Sequence, residues 1–213
     1  GLFARQNQVR EAVEEARAAL ELDQTCAEAH KVLGLVFAAL ARPDQESSRR
    51  DPDRVKYAND AVGHLEQVMA GQPATALEPG VQLTLARLYL MTGAPAKAIP
   101  IVTGLIADVP QATELVPLLA DAYTGAGRID EAIEVLEGAS AERPALLGAL
   151  AALYERQGRW GEAVKAYDKA VAAFPRNPDL STRLAFALLN EGSRPGALRA
   201  RGLLETAVKD DPT

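Results

Sequence analysis

The stretch YERQGRWGEAVKAYDKAVAAFP, residues 154–175, decides the fold of this 213-residue chain. Small and apolar residues recur at helical spacing on both sides of Gly158. A glycine just past the end of a helix can adopt a left-handed backbone at no steric cost. Pro175 ends the second segment, because proline has no amide hydrogen with which to continue a helix. The stretch therefore predicts two helices joined by a tight turn.

The landmarks of this stretch recur along the chain at a nearly constant spacing. Successive tyrosines are 34 and 31 residues apart, and successive turn glycines are 34, 31 and 34 residues apart. A small alanine in the second helix and a closing proline keep the same register. Landmarks that stay in step over several copies predict an internal repeat of about 34 residues. The recurring positions are Tyr89, Tyr123 and Tyr154; Gly93, Gly127, Gly158 and Gly192; Ala98, Ala132 and Ala163; and Pro73, Pro110, Pro144, Pro175 and Pro212.

A leucine followed by a small residue also stands in the first helix of each copy. The pairs are Leu33-Gly34, Leu85-Ala86, Leu119-Ala120, Leu150-Ala151 and Leu184-Ala185. The most regular copy reads Leu150-Ala151-x2-Tyr154, Gly158, Ala163-x3-Tyr167-x2-Ala170, Pro175. This pattern resembles the tetratricopeptide repeat (TPR), a helix–turn–helix unit of about 34 residues.

The resemblance implies an all-α fold, a right-handed superhelical solenoid of antiparallel helix pairs. A composition rich in Ala and Leu favours helices independently of the resemblance. We expect a single solenoid over residues 1–213. Its repeats are predicted at about 27–75, 79–112, 113–143, 144–177 and 178–213, with a partial repeat at 2–24.

The repeat at 27–75 departs from the pattern. Phe37 and Ala61, the counterparts of the tyrosine and the alanine, are 24 residues apart instead of nine. The extra residues fall at 42–55, a charged segment that contains two prolines. We expect a solvated loop between two helices; the alternative is an arm that contacts a partner.

The outermost copies predict a fragment of a longer repeat protein. The first copy is partial, and the last stops right after its closing proline without a polar capping helix. Exposed repeat ends are normally covered by something else. We therefore expect some end-to-end self-association at high concentration.

Charge and hydropathy argue against several classes of partner. The net charge of −6 and the pI near 5.1 disfavour a general affinity for nucleic acid or anionic lipid. No run of about 18 apolar residues occurs, so we expect no direct membrane insertion. The single cysteine excludes an intrachain disulfide and leaves both cytoplasmic and periplasmic locations open.

No group of residues indicates catalysis or metal binding. His30 and His64 lack a His or Cys partner at metal-ligand spacing. We expect His30 to pack within the fold and His64 to be solvated on the outer side of a second helix. Cys26 has no His or Asp base at a recognisable spacing. We therefore predict that the chain is not an enzyme and holds no metal and no cofactor.

In a TPR array the first helices line a concave groove, and repeat arrays typically bind their partners there. Positions 2, 5, 9, 12 and 13 of each copy share one helix face, because they lie three or four residues apart. An apolar patch flanked by charges would suit a peptide with apolar anchors and a few charges. The alternative is that these residues pack on each other or on a neighbouring helix of the full-length protein. The predicted groove residues are Lys31, Leu35, Leu83, Arg87, Leu90, Met91, Asp121, Glu155, Arg156, Arg183 and Phe186.

Trp160 is the only tryptophan and follows the turn glycine by two residues. We expect its ring to pack over the turn between the two helices, on the side away from the groove. The alternative is a stacking site for a ligand.

These features predict a non-enzymatic protein–protein interaction scaffold that binds a peptide or a protein segment in its concave groove. The alternative is a recruiting or self-assembly segment of a larger enzyme, or of a secretion or polysaccharide-export assembly. Both hypotheses predict a protein partner rather than nucleic acid.

Overall fold

A computed structural model of the chain describes residues 2–42, 52–69, 73–109, 112 and 115–210. Within these ranges the chain forms α-helices and two 3₁₀ turns, Ala74–Ala76 and Pro144–Leu146, and no strand. The prediction of an all-α fold is confirmed. The helices are α1 (Leu2–Leu22), α2 (Ala27–Leu40), α3 (Pro52–Val68), α4 (Pro79–Met91), α5 (Pro95–Asp108), α6 (Leu115–Gly125), α7 (Ile129–Ser140), α8 (Leu147–Arg156), α9 (Trp160–Ala173), α10 (Pro178–Glu191) and α11 (Arg194–Asp210).

The chain divides into two compact units, Gly1–Leu118 and Leu119–Thr213. In the first unit each helix from α1 to α5 packs on the next one along the chain. In the second unit the same holds from α7 to α11. The boundary lies inside α6, within the predicted repeat at 113–143. The division of the chain into repeats stays a prediction.

Glycine in a left-handed conformation reverses the chain between paired helices. Gly127 and Gly158 have φ angles of +76° and +67°. At each turn the next backbone amide donates back to the tyrosine carbonyl, from Arg128 to Tyr123 over 2.8 Å and from Arg159 to Tyr154 over 2.9 Å. These bonds satisfy carbonyls that the helix end would otherwise leave without a partner. The turns predicted from the glycine spacing are therefore present.

Near the turns a positively charged side chain lies over the face of a tyrosine ring. This contact was not predicted from the sequence. The guanidinium carbon of Arg128 lies 4.7 Å from the centre of the Tyr123 ring, and Arg159 holds the same position at 4.7 Å from Tyr154. Lys97 lies 5.3 Å from the centre of the Tyr89 ring. A cation over an aromatic face is attracted by the ring quadrupole. The turns at Gly127 and Gly158 are thus stabilised both by a backbone hydrogen bond and by a cation–π contact.

Aliphatic side chains from α2 to α5 form the core of the first unit. Leu33 is almost fully buried, and Leu65, Leu85 and Val102 are fully buried. Removing each of these side chains from water contributes about 1.5–3 kcal/mol. Gly34 lets α2 and α3 approach closely, because a Cβ atom at this position would lie 2.7 Å from both Cγ and Cδ2 of Leu65. The small residue of the leucine–small pair therefore serves helix packing.

A tyrosine belongs to the core of the second unit. Tyr167 on α9 is fully buried, and Leu136 and Leu184 of the same unit are also fully or almost fully buried. Its hydroxyl donates to Oε2 of Glu155 on α8 over 2.8 Å. Burial, together with this hydrogen bond, raises the pKa of Tyr167 to about 12. The hydroxyl is therefore satisfied although the ring is in the core.

The predicted insert at 42–55 is partly helical. Residues 52–55 form the first turn of α3 instead of a loop. The Arg54 side chain donates to the carbonyl of Ala41 at the end of α2 over 3.3 Å, which holds this turn against α2. The prediction of a loop is wrong for these four residues, and 43–51 lie outside the described residues.

Candidate protein-binding faces

The first-helix face of the first unit is formed by α2 and α4, which contact each other. Leu35 on α2 is 36% exposed and Met91 on α4 is 45% exposed, while Leu83 and Leu90 are half-buried. Arg87 is exposed on the same face and makes no ion pair within the described part of the chain. The structure thus brings five of the predicted groove residues onto two neighbouring helices. The face is apolar with one unpaired guanidinium.

Lys31, a sixth predicted groove residue, forms an ion pair within the first unit. Its ammonium donates to Oε1 of Glu78 over 2.8 Å, joining α2 to the residue that precedes α4. This hydrogen bond raises the pKa of Lys31. Sequence reasoning missed Glu78, since the two residues are 47 positions apart. Lys31 would have to exchange this partner to bind a carboxylate from another chain.

The first-helix face of the second unit carries both signs of charge. Oε2 of Glu155 on α8 accepts from Tyr167 and lies 3.9 Å from Nη1 of Arg183 on α10. Arg156 is exposed and has no ion-pair partner among the residues that the structure describes. On α6, the surrounding protein desolvates the Asp121 carboxyl and raises its pKa. Two predicted residues of this face, Glu155 and Arg183, thus form a network with the buried Tyr167. Arg156 has no ion-pair partner among the described residues, and the Asp121 carboxyl has a raised pKa.

An aromatic pair extends this face along α10. Phe186 is 49% exposed and Leu189 is 51% exposed. The Trp160 ring meets the Phe186 ring edge to face, with centres 5.9 Å apart. Trp160 was expected to point away from the groove, but it contacts a predicted groove residue. The reason is that Trp160 begins α9, on which α10 packs.

The two histidines form a pair, contrary to the prediction that His64 is solvated. Nδ1 of His64 lies 2.8 Å from Nδ1 of His30, and its ring stacks on Phe37 with centres 5.7 Å apart. Nε2 of His30 lies 3.0 Å from the carbonyl of Gln24, which can only accept, so this nitrogen carries a hydrogen. Burial and the nearby His30 lower the pKa of His64. The prediction that His30 packs within the fold agrees with its burial.

The residues in the described ranges contain no group of three or more His, Cys, Asp or Glu side chains that could hold a metal ion. The described helices include none that is long and apolar enough to cross a membrane. The signal that could have revealed their contact is that His30 and His64 lie on the two helices of one predicted repeat, on either side of the insert at 42–55.

Solved structures of several repeat proteins resemble this chain in fold. A crystal structure of MamA protein has a TM-score of 0.59 and 19% identity, and the match covers 83% of this chain and 91% of that chain. The C-terminal part of a TPR repeat-containing protein from Cytophaga hutchinsonii has a TM-score of 0.68 and 13% identity, over 96% of this chain and 75% of that chain. YrrB, described as a TPR protein with an unusual peptide-binding site, has a TM-score of 0.58 and 11% identity, over 94% of each chain. At these identities the likeness shows the fold alone.

The sequence matches no curated protein. It does match models of protein families, which identify its family more directly than the likeness in fold. Three family models described as tetratricopeptide repeat match residues 2–46, 92–156 and 144–187, and together they span more than half of the chain. These segments contain Gly127 and Gly158, Tyr123 and Tyr154, and four of the five leucine–small pairs. The chain therefore belongs to the tetratricopeptide repeat family.

Proposed function

We propose that this chain is a non-enzymatic scaffold that binds a peptide or a protein segment on the faces of its first helices. TPR proteins are in general protein-interaction modules without catalytic activity. The observation that carries the proposal is the exposure of large apolar side chains at the predicted groove positions. Leu35, Met91, Phe186 and Leu189 remain between a third and about half exposed. The leucines of the leucine–small pairs on the same helices, Leu33, Leu85 and Leu184, are buried. Apolar surface grouped in this way marks interaction sites more often than isolated exposed residues do.

The charges on each face indicate the kind of segment that would bind. In the first unit Arg87 lies among Leu83, Leu90 and Met91, so a carboxylate beside apolar anchors would meet an unpaired guanidinium. In the second unit Arg156 offers a similar unpaired cation. We expect a segment with apolar anchors and at least one carboxylate.

Three predicted groove residues play a different part in this proposal. Lys31, Glu155 and Arg183 each have a partner within the chain. A ligand gains little from a charge that is already paired, since it would have to break one pair to form another. We expect these residues to hold neighbouring helices in place and to contribute less to binding than Arg87 or Phe186.

Display of random peptides on the full chain, followed by affinity measurements, tests the proposal. We expect selected peptides to lose roughly tenfold or more in affinity with Arg87→Ala/Met91→Ala, or with Arg156→Ala/Phe186→Ala, depending on the face they occupy. The matched control is Arg176→Ala/Leu22→Ala, which also removes an exposed arginine and an exposed apolar side chain. Binding that is indifferent to both double changes and to Asp121→Asn would show that the first-helix faces are not the site.

The alternative function, a recruiting or self-assembly segment of a larger enzyme or of an export assembly, has one observation in its favour. Leu198 on α11 is 68% exposed and Leu204 is 37% exposed. These residues could pair with a second copy of the chain or with another domain. Sedimentation over a range of concentrations should show association that Leu198→Gln/Leu204→Gln removes. A chain that stays monomeric at the highest concentration would speak against self-assembly.

A further inference from the structure

A second concave surface lies in the second unit, on a different face of α8 from the predicted groove. It is a cleft of about 550 Å³ between the end of α7, the Pro144–Leu146 turn, α8 and α9, which we name the α7–α9 cleft. Its α8 wall is formed by Leu147, Leu150 and Tyr154, which are three and four residues apart and so share one stripe. None of the predicted groove residues lines it. The volume is within the range of typical ligand sites, about 300–1,000 Å³.

Only some of the charged side chains that line this cleft have a partner within the chain. Glu162 pairs with Arg159 over 3.5 Å, and Glu137 accepts a hydrogen bond from the Tyr154 hydroxyl. Lys165 and Lys169 line the same cleft, are exposed, and stand one helical turn apart on α9. Neither lysine has a hydrogen bond or an ion pair with any other described residue. The cleft therefore presents two ammonium groups without an ion-pair partner beside an apolar wall, and one carboxylate, Glu137, whose hydrogen bond comes from a neutral hydroxyl.

The first unit contains an equivalent cleft whose cation is already paired. It has about 530 Å³ and lies between α3, the Ala74–Ala76 turn, α4 and α5. Here Lys97 donates to Oε1 of Glu66 over 2.7 Å, and the Tyr89 hydroxyl donates to the same oxygen over 2.9 Å. The Lys97 ammonium lowers the pKa of Glu66, as expected of a paired carboxylate. In the repeat register Lys97 corresponds to Glu162, while Lys165 and Lys169 correspond to the uncharged Pro100 and Gly104. The α7–α9 cleft thus carries two unpaired lysines at positions where the first unit has no charge, and the one lysine of the first cleft is paired.

From this difference we infer that the α7–α9 cleft is a second binding site, which takes an acidic peptide. Two carboxylates of the peptide would pair with Lys165 and Lys169. An apolar side chain of the peptide, between these carboxylates, would contact Leu147 and Leu150. The site is separate from the first-helix faces of the proposed function. Because its ion pairs are exposed, we expect modest, salt-sensitive affinity.

Fluorescence anisotropy with two labelled peptides tests this inference on the full chain. The probe alternates Glu and Leu, and its control has every Glu replaced by Gln. We expect only the Glu peptide to bind, with affinity that falls as salt rises. Lys165→Gln/Lys169→Gln should weaken it by about 2- to 30-fold, the effect of losing two exposed ion pairs. Circular dichroism would confirm that this variant keeps its helical content.

Two controls separate this site from general charge effects and from the proposed function. Lys97→Gln removes one lysine from the equivalent cleft and should leave the affinity unchanged. Arg87→Ala/Met91→Ala removes any binding of the same probe to the first-helix face, and in this background Lys165→Gln/Lys169→Gln should cause the same loss of affinity as in the unaltered chain. The inference is overturned if the Gln peptide binds equally well, if Lys97→Gln weakens binding as much as the double change, or if inorganic phosphate at the peptide's concentration displaces the peptide.

Discussion

Adding one methyl group to Gly34 should destabilise the first unit, although alanine normally stabilises a helix. The new Cβ atom would lie 2.7 Å from Cγ and Cδ2 of Leu65 and 3.4 Å from the Ala61 carbonyl oxygen. Leu65 is fully buried, so it cannot move away without displacing its neighbours. Overpacking of this kind costs about 1–3 kcal/mol. The higher helix propensity of alanine offsets about 1 kcal/mol of that cost. For Gly34→Ala we expect the unfolding free energy to fall by up to about 2 kcal/mol.

Gly63→Ala is the matched control, because a Cβ atom on Gly63 would meet no atom within 4 Å. This change should raise the unfolding free energy by up to about 1 kcal/mol. Urea unfolding followed by circular dichroism measures both variants, while Trp160 fluorescence reports on the second unit alone. In a Leu65→Ala background the extra methyl would enter the vacated space, so Gly34→Ala should become stabilising there. The packing argument fails if Gly34→Ala stabilises the wild-type chain as much as Gly63→Ala does, or if its cost persists without the Leu65 side chain.

Three further predictions concern a titratable group, a turn and a buried hydroxyl. The pKa of His64 is lowered on folding, so just below its usual value of 6.5 the unfolded chain binds more protons than the folded one. The unfolding free energy should therefore fall as the pH drops from about 7.5 to about 5.5, and His64→Gln should reduce this dependence in urea titrations. Gly158→Ala places a side chain in a left-handed conformation and should cost about 1 kcal/mol in unfolding followed by Trp160 fluorescence; no cost would contradict the turn geometry. Tyr167→Phe removes the hydrogen bond to Glu155 and should cost about 0.5–1.5 kcal/mol by the same measurement, and a more stable variant would contradict this contribution.

The parts of the fold that could be predicted from the sequence depend on residues that are close together along the chain. Gly127 and Gly158 act within their own turns, so their spacing was enough to locate the helix pairs and the family. The small residue in each leucine–small pair was predictable for a similar reason, because it repeats at the same helix position. The residues on the first-helix faces followed from helix periodicity alone.

The rest depended on contacts between helices that are distant in sequence. His64 was expected in solvent, but the packing of α2 on α3 brings it against His30. The partner of Lys31 was not predictable either, since Glu78 comes from the next helix pair. Trp160 reaches Phe186 only because α10 packs on α9. A single sequence shows which residues face one side of a helix, and it does not show which side chain of a neighbouring helix they meet.

The turns at Gly127 and Gly158 have a consequence for the folding kinetics. Their stabilising contacts join residues only five positions apart, Tyr123 with Arg128 and Tyr154 with Arg159. A chain rich in such local contacts has a low contact order and is expected to fold rapidly. In repeat proteins, folding can begin at any helix pair and spread to its neighbours. A destabilising substitution at one turn would then remove one nucleation site for folding and leave the other. The refolding rate should therefore change less than the unfolding rate.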